Sequence, residues 1–377
     1  MQTIFDLQTI AFACLVLFSV AAILQLTYFL YYFLRLSFYE MPALSGNLPP
    51  VSVVIAARNE YDNLMQFLPI ILTQDYPDYE VIVVNDGSWD ESEELLTAFQ
   101  QQYAHLKIVK IRENERFDGG KKLAITVGIK AAKNERLLFT DADCQPASLQ
   151  WIRKMMGALS PETEIVLGYS PYMKKPGLLN AVVRFETWLT AANYVSYTLA
   201  KKPFMGVGRN LSYTSAGFYK VHGFKSHYSL ASGDDDLLVN ELSTAKNVSV
   251  CLDPETHVES IARTTWTKYW RQKRRHLSTS RKYHWKHRLL LGAQHGSLLL
   301  LWLSAIGLLV LHSYVYIVGA VLFARLLLQI YIFRRSIKWM GQADLWWMAP
   351  ILEPMVMVMY TFVQITNLSA KPVKWTN

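Results

Sequence analysis

Asp141 and Asp143 stand two residues apart at the end of an apolar run, Arg136-Leu137-Leu138-Phe139-Thr140. Alternate residues of an extended chain share a face. The two carboxylates can therefore point at one spot just past a strand's C-terminal end, where open α/β sheets bind ligands. Two carboxylates together with a substrate's phosphates suit Mg²⁺ or Mn²⁺, hard cations that take oxygen ligands and seldom sit in all-protein cages. A lone Asp-x-Asp is commonly a solvated turn, so its surroundings decide its meaning.

Those surroundings repeat the pattern. Val51–Glu60 is an apolar run ending in Asn59 and Glu60, and Val81–Val84 runs into Asn85, Asp86 and Gly87. Helical patterns lie between the runs, near Asn63–Leu72 and Ser92–Tyr103. Strands alternating with helices predict a mostly parallel sheet with helices on its faces. Each polar tip on its own can be read as a helix cap. Capping does not explain an apolar run followed by acid three times. Further along, Asp234-Asp235-Asp236 is a crowded acidic run that can supply a general base, since neighbouring carboxylates raise one another's pKa. One of the three is expected to cap a helix over Leu237–Ala245, and Asp236 is the choice for that local role. Phe204–Asn210 carries Gly206 and Gly208, which would let backbone approach a ligand on the acceptor side. It lacks the third glycine of a dinucleotide fingerprint.

In order along the chain, these segments resemble the motifs of membrane-embedded inverting glycosyltransferases of family 2. The resemblance rests on Asn59-Glu60, Val84–Ser88, Gly120-Lys121-Lys122-Leu123-Ala124, Asp141-Ala142-Asp143, Gly233–Asn240 and Gln272-Lys273-Arg274-Arg275-His276, and covers about residues 50–290. It implies a GT-A catalytic domain, Rossmann-like with a mostly parallel sheet, joined to transmembrane helices. It implies Asp235 as base with Asp234 accessory, a metal on Asp143 assisted by Asp141, and a nucleotide sugar, by expectation a UDP-sugar. That donor would be held by Glu60, Asp86, Lys121, Asp141, Gln272, Arg274 and Arg275. His276 stands where processive synthases of the family carry Trp, which argues against long-polymer secretion.

Composition adds the membrane. Leu7–Leu34 has no Asp, Glu, Lys or Arg over 28 residues, more than the roughly 20 a helix needs to cross a bilayer. No basic residue precedes this run, so a retained anchor is preferred to a cleaved signal. Leu289–Ala324 is a second charge-free stretch, of 36 residues, expected to fold as a hairpin turning near His312-Ser313. Leu345–Ala370 is a third apolar block, spanning or re-entrant, with Glu353 between Pro350 and Pro354. Glu353 is expected to face protein near an interface. The domains predicted are an anchor at 1–35, a linker at 36–50, the catalytic domain at 51–255, an amphipathic interfacial segment at 256–295 and membrane helices at 296–370.

Arg35, Arg334, Arg335 and Lys338 follow the spans, which places the catalytic domain in the cytoplasm of a multi-pass inner-membrane protein of the cell envelope. Lys371 and Lys374 run against that rule if the last block crosses fully. Three scattered cysteines fit a reducing compartment. The net charge of +8 is concentrated between Arg271 and Arg288, with eight Lys/Arg and three His. Directly before a membrane hairpin, that cluster points to anionic lipid and not to nucleic acid. The function expected is sugar transfer from a nucleotide sugar to a lipid-linked or glycan acceptor near the membrane. A processive polysaccharide synthase, a catalytically inactive scaffold and a nucleotidyltransferase are the rivals. A scaffold needs none of the acids, and a nucleotidyltransferase does not need the later acidic run.

Overall fold

The computed structural model describes residues 2–42, 46, 48–111 and 120–369. The chain enters through α1 (Gln2–Thr27), a π-helical turn at Tyr28–Phe33 and α2 (Leu34–Ser37). The apolar runs then form β1 (Val51–Ala57), β2 (Tyr79–Asn85), β3 (Leu106–Lys110) and β4 (Arg136–Asp141), connected through α3 (Tyr61–Leu72), α4 (Ser92–Gln102) and α5 (Gly120–Ala131). These four strands pair in parallel with β1 between β2 and β4. Val53 and Ile55 enter the core on one face of the sheet and Val54 the core on the other, because parallel strands covered by helices on both sides are apolar throughout. The α5 helix lies so close that a Cβ on Gly128 would stand 2.6 Å from Val54 Cγ1. A methyl there would overpack the interface at a cost of about 1–3 kcal/mol.

Beyond β4 the sheet turns mixed. With β6 (Ile165–Leu167), β7 (Leu211–Thr214) and β8 (Val248–Val250) it reaches seven strands in the order β3-β2-β1-β4-β7-β6-β8. β7 runs antiparallel to both β4 and β6. β5 (Cys144–Pro146) and β9 (Val258–Ser260) make a small side ladder, which holds the chain after Asp143 in place. α6 (Trp151–Gly157), α7 (Leu178–Leu199), α8 (Ser215–Lys220) and α9 (Asp236–Leu242) complete the domain. The expected helix over Leu237–Ala245 starts at Asp236 and ends at Leu242. Ser243 is extended there, and the Asn247 side chain accepts from Thr244 N at 2.6 Å.

Among the described residues, four helices are long and apolar enough to cross a membrane: Leu7–Ser37, and α11 (Trp285–Val310), α12 (Val315–Met340) and α13 (Ala349–Ser369) over most or all of their lengths. Between β9 and α11 in the chain lies α10 (Trp266–Leu277), which carries Lys268, Arg271, Lys273, Arg274 and Arg275. The boundary drawn at residue 295 falls inside α11, which begins at Trp285; the basic cluster therefore runs into the first turn of that helix. Phe18, Ala21 and Ala22 of α1 pack on Leu301, Ala305 and Leu308 of α11. Glu353 is buried and paired with Arg325 at 2.7 Å, and Arg325 also reaches Gln25. Its surroundings are thus protein, and its charge is matched. The domain is bolted to the helices by a bidentate Arg184–Asp344 pair at 2.9 and 2.6 Å and by Tyr32 stacked on Tyr197 at 4.3 Å. Lys371 and Lys374 lie outside the described residues.

Candidate functional site

Strand register brings the polar tips together. Ala57 sits opposite Asn85 and Ala56 opposite Asp141, so β1, β2 and β4 end along one rim. After β1 the chain turns at Asn59 (φ 54°) and after β2 at Gly87 (φ 57°). Asp86 is buried, its N–H donating to Ala57 O at 2.9 Å. Glu60 accepts from the Asn63 amide. Burial and the nearby Asp143 and Asp141 raise the Glu60 carboxyl, with the Asn63 bond and Arg263 opposing.

Asp143 is raised by burial first and then by the charge of Asp141. Oxygens of Asp141 and Asp143 lie within 4.8 Å of one another, in a group with the Cys144 thiol. Two carboxylates that repel each other and offer hard oxygen donors fit Mg²⁺ or Mn²⁺. The Cys144 thiol is fully buried and its pKa is well above the ordinary thiol range, so it stays protonated and supplies no thiolate.

Lys121 follows Gly120, which takes a φ of 47° at the start of α5. Its ammonium lies 2.7 Å from Asp141 Oδ1 and 3.1 Å from Asp234 Oδ2. One lysine thus joins the Asp141–Asp143 pair to the later acidic run. Burial alone would lower Lys121, but Asp141, Asp234 and Asp235 outweigh it and keep the ammonium charged. Burial would raise Asp234, and Lys121 more than offsets it, so Asp234 stays ionised.

Asp235 differs from both neighbours. Its Oδ2 accepts from Gly208 N at 2.8 Å and its Oδ1 from Asp236 N at 2.8 Å. Burial, then the charges of Asp234 and Asp236, push its carboxyl up to about 7. A carboxylate poised near neutrality suits a general base. Asp235 is also the N-cap residue of α9, whereas Asp236, expected to cap, is the first helical residue. Asp236 accepts from Leu237 N and from the hydroxyls of Thr279 and Tyr283, which fixes the chain before α11.

One cavity of about 810 Å³ joins these groups; its wall includes Glu60, Asp86, Lys121, Asp141, Asp143, Gly208, Asp234, Asp235, Gln272, Arg275 and His276. Two expected residues are not in that wall. Arg274 points away: its Nε donates to Asn367 Oδ1 at 3.2 Å on α13, and Asn367 donates back to its carbonyl at 2.9 Å. Gln272, Arg275 and His276 share a helix face, and residue 274 falls on the other side. Gly206 is also absent from the wall. A Cβ there would meet Leu167, Leu211 and Val239 at 3.0–3.2 Å, so this glycine serves packing. Gly208 does line the cavity, and the close approach it permits is to Asp235.

His276 is held neutral, by burial and then by Arg275 and Lys273. Arg209, Tyr172 and Lys122 carry weight that the sequence does not assign. Arg209 stacks 4.3 Å from the Tyr172 ring centroid and donates to Ser170 O at 3.0 Å. Gln272 also donates to the Tyr172 hydroxyl at 3.3 Å. Lys122 donates to the carbonyls of His227, Leu230 and Ser232 at 2.6–2.9 Å and so anchors the loop before Asp234. Burial lowers Lys122 to about 8. Arg209 follows the Gly206-Val207-Gly208 segment directly, which was the available signal. Lys122 gave none beyond its neighbour.

Comparison with known proteins agrees with this geometry. Residues 52–208 match the family model described as Glycosyl transferase family 2. The chain is 30% identical over 147 residues to glycosyltransferase AglE of Haloferax volcanii, covering 38% of this chain and 47% of that protein. It is 31% identical over 107 residues to beta-monoglucosyldiacylglycerol synthase of a Nostoc species, covering 28% of this chain and 22% of that one. The chain thus spans less than half the length of these curated relatives. A mannosyltransferase, PcManGT from Pyrobaculum calidifontis, solved in complex with GDP-Man and Mn²⁺, superposes with a TM-score of 0.62 at 17% identity. The superposition covers 96% of this chain and 99% of that one. That likeness shows the fold, the GT-A type expected from the sequence.

Proposed function

We propose, from the match of residues 52–208 to the family 2 glycosyltransferase model, that this chain transfers a sugar, with inversion, from a nucleotide-diphosphate sugar to a lipid-linked or membrane-proximal acceptor. The observation that carries the proposal is the single cavity in which the Asp141–Asp143 pair and Asp235 share a wall with membrane-helix residues. Glu60 and Asp86, at neighbouring strand tips, are suited to accept hydrogen bonds from base and ribose. Arg275 lines the cavity and is suited to bidentate contact with the diphosphate; Gln272 lies one helical turn away. Mg²⁺ or Mn²⁺ held by Asp143 and Asp141 would neutralise the departing diphosphate. Lys121 pairs with Asp141 and Asp234 and holds the two in register. Asp235 takes the acceptor's proton from the face opposite the leaving group. The four apolar helices support a multi-pass membrane protein, and the positive-inside rule supports a cytoplasmic catalytic domain at an inner membrane.

The test is a binding and hydrolysis screen of nucleotide sugars with Mn²⁺ on the purified chain. One diphosphate sugar should raise the melting temperature and be slowly hydrolysed. Asp143→Ala or EDTA should abolish hydrolysis and transfer together. Transfer surviving in Asp143→Ala with Mg²⁺ present would remove the metal assignment, and no response to any nucleotide sugar would remove the reading itself.

A further inference from the structure

The cavity does not end at the carboxylates. It continues between the membrane helices, where Asn193 of α7, Gln294 and His295 of α11 and Tyr360 of α13 form its wall beside apolar groups such as Leu298. Among the described residues, α1, the π-helical turn after it, α7, α11 and α13 contribute no Lys or Arg to this wall. Its two acids there, Glu186 and Glu353, are paired with Lys273 and Arg325. The amides are linked but not exhausted. Gln294 Nε2 donates to Asn193 Oδ1 at 2.8 Å, and Tyr197 donates to Gln294 Oε1 at 2.7 Å. Each amide oxygen can accept a second bond.

We propose that this arm is the acceptor subsite and that it takes a neutral, hydroxyl-bearing lipid headgroup, glycerol or sugar, in preference to a lipid phosphate. The proposal rests on the transferase reading above. Two observations favour a neutral headgroup. First, a phosphate in this arm would be desolvated against a wall without a free cation, at a large cost. Cations of the same cavity that stand outside the membrane helices, Arg271 and Arg275 among them, are suited to the donor's diphosphate. Second, a positioned carboxylate base belongs to a hydroxyl acceptor. The hydroxyl oxygen bonds to the anomeric carbon while the bond from that carbon to the diphosphate oxygen breaks. The electron pair leaves with the diphosphate, and the hydroxyl proton passes to Asp235. An ionised phosphate acceptor brings no proton to remove and leaves Asp235 without a role.

The experiment uses the full chain in detergent–phospholipid micelles with UDP-glucose, UDP-N-acetylglucosamine or GDP-mannose labelled in the sugar. Dioleoylglycerol, its monoglucosyl derivative and undecaprenyl phosphate are offered at equal mole fraction. At least one neutral lipid should be glycosylated with kcat/KM at least tenfold above that of undecaprenyl phosphate. Equal or better use of the phosphate lipid overturns the proposal, as does donor hydrolysis with no lipid labelled. Absence of nucleotide release from every donor overturns the underlying transferase reading instead. Gln294→Leu, checked for an unchanged melting profile, should raise KM for the neutral lipid about tenfold and move kcat far less; a fall in kcat alone contradicts a binding role.

Discussion

Replacing Asp235 by Asn separates chemistry from binding. The asparagine keeps the shape and one oxygen for the Gly208 N–H, which now lies 2.8 Å away. It loses the second carboxylate oxygen, which accepts from Asp236 N at 2.8 Å; one such unmet bond costs about 1–3 kcal/mol of stability, a tolerable loss. Removing a general base costs about 10²–10⁴ in rate, or roughly 2.7–5.5 kcal/mol of barrier at about 1.36 kcal/mol per tenfold. The wild-type pH profile supplies an independent check. Asp235 is pushed up to about 7, so its proton-accepting form prevails above that pH and is lost as pH falls through it. Turnover should therefore fall roughly tenfold per pH unit on the acid side and level off above. Asp235→Asn should lose that limb. Asp236→Asn is the matched control, because its carboxylate serves Thr279, Tyr283 and Leu237 N; it should lower the melting temperature and change kcat little. The assay is initial-rate transfer at saturating donor, from pH 5.5 to 8.5. An Asp235→Asn enzyme with normal kcat and an intact acid limb, or a dead Asp236→Asn enzyme, would refute the assignment.

Other expectations follow from the same geometry. Arg275→Ala should raise donor KM by about 10–150-fold, the worth of a charge-assisted bond of roughly 1.5–3 kcal/mol, while Arg274→Ala, whose side chain reaches Asn367 and not the cavity wall, should leave donor KM within about twofold; steady-state kinetics with varied donor checks both. Arg325→Met should destabilise the membrane bundle by about 3–5 kcal/mol, by leaving Glu353 buried and unpaired, and Arg325→Met with Glu353→Leu should recover most of that in a thermal-unfolding assay. Thr264→Cys, at an exposed position before α10, should resist a membrane-impermeant thiol reagent in intact cells and react after permeabilisation. Labelling from outside would invert the topology.

The sheet was legible because its signal is redundant: Val51–Ala57, Tyr79–Asn85 and Arg136–Asp141 are each an apolar run that meets a polar stop, and the first two are rich in Val and Ile. Parallel register then brings the stops to one rim. The acidic run at 234–236 was legible as chemistry, but its division of labour was not. Which aspartate caps α9 depends on Gly208 N and on the Thr279 and Tyr283 hydroxyls, partners distant in sequence. Arg274 and Arg275 look equivalent in the motif because they are adjacent. Helical periodicity, once α10 is placed, puts them on different faces. Gly206 and Gly208 carry the same letter, yet one is closed in by Leu167, Leu211 and Val239 and the other approaches Asp235. Arg325 lies immediately after the charge-free stretch, and nothing local marks it as the partner of Glu353.

Inversion at the anomeric carbon is the outcome that a single displacement assisted by Asp235 requires. Purified protein in phospholipid vesicles should be given its nucleotide sugar labelled with ¹³C at the anomeric position, and the products partitioned between organic and aqueous phases. The label should enter the organic phase on one lipid acceptor with the anomeric configuration opposite to the donor's, and Asp235→Asn should prevent its appearance. A lipid product of retained configuration, or label recovered only as water-soluble polymer, would contradict direct displacement onto a membrane acceptor.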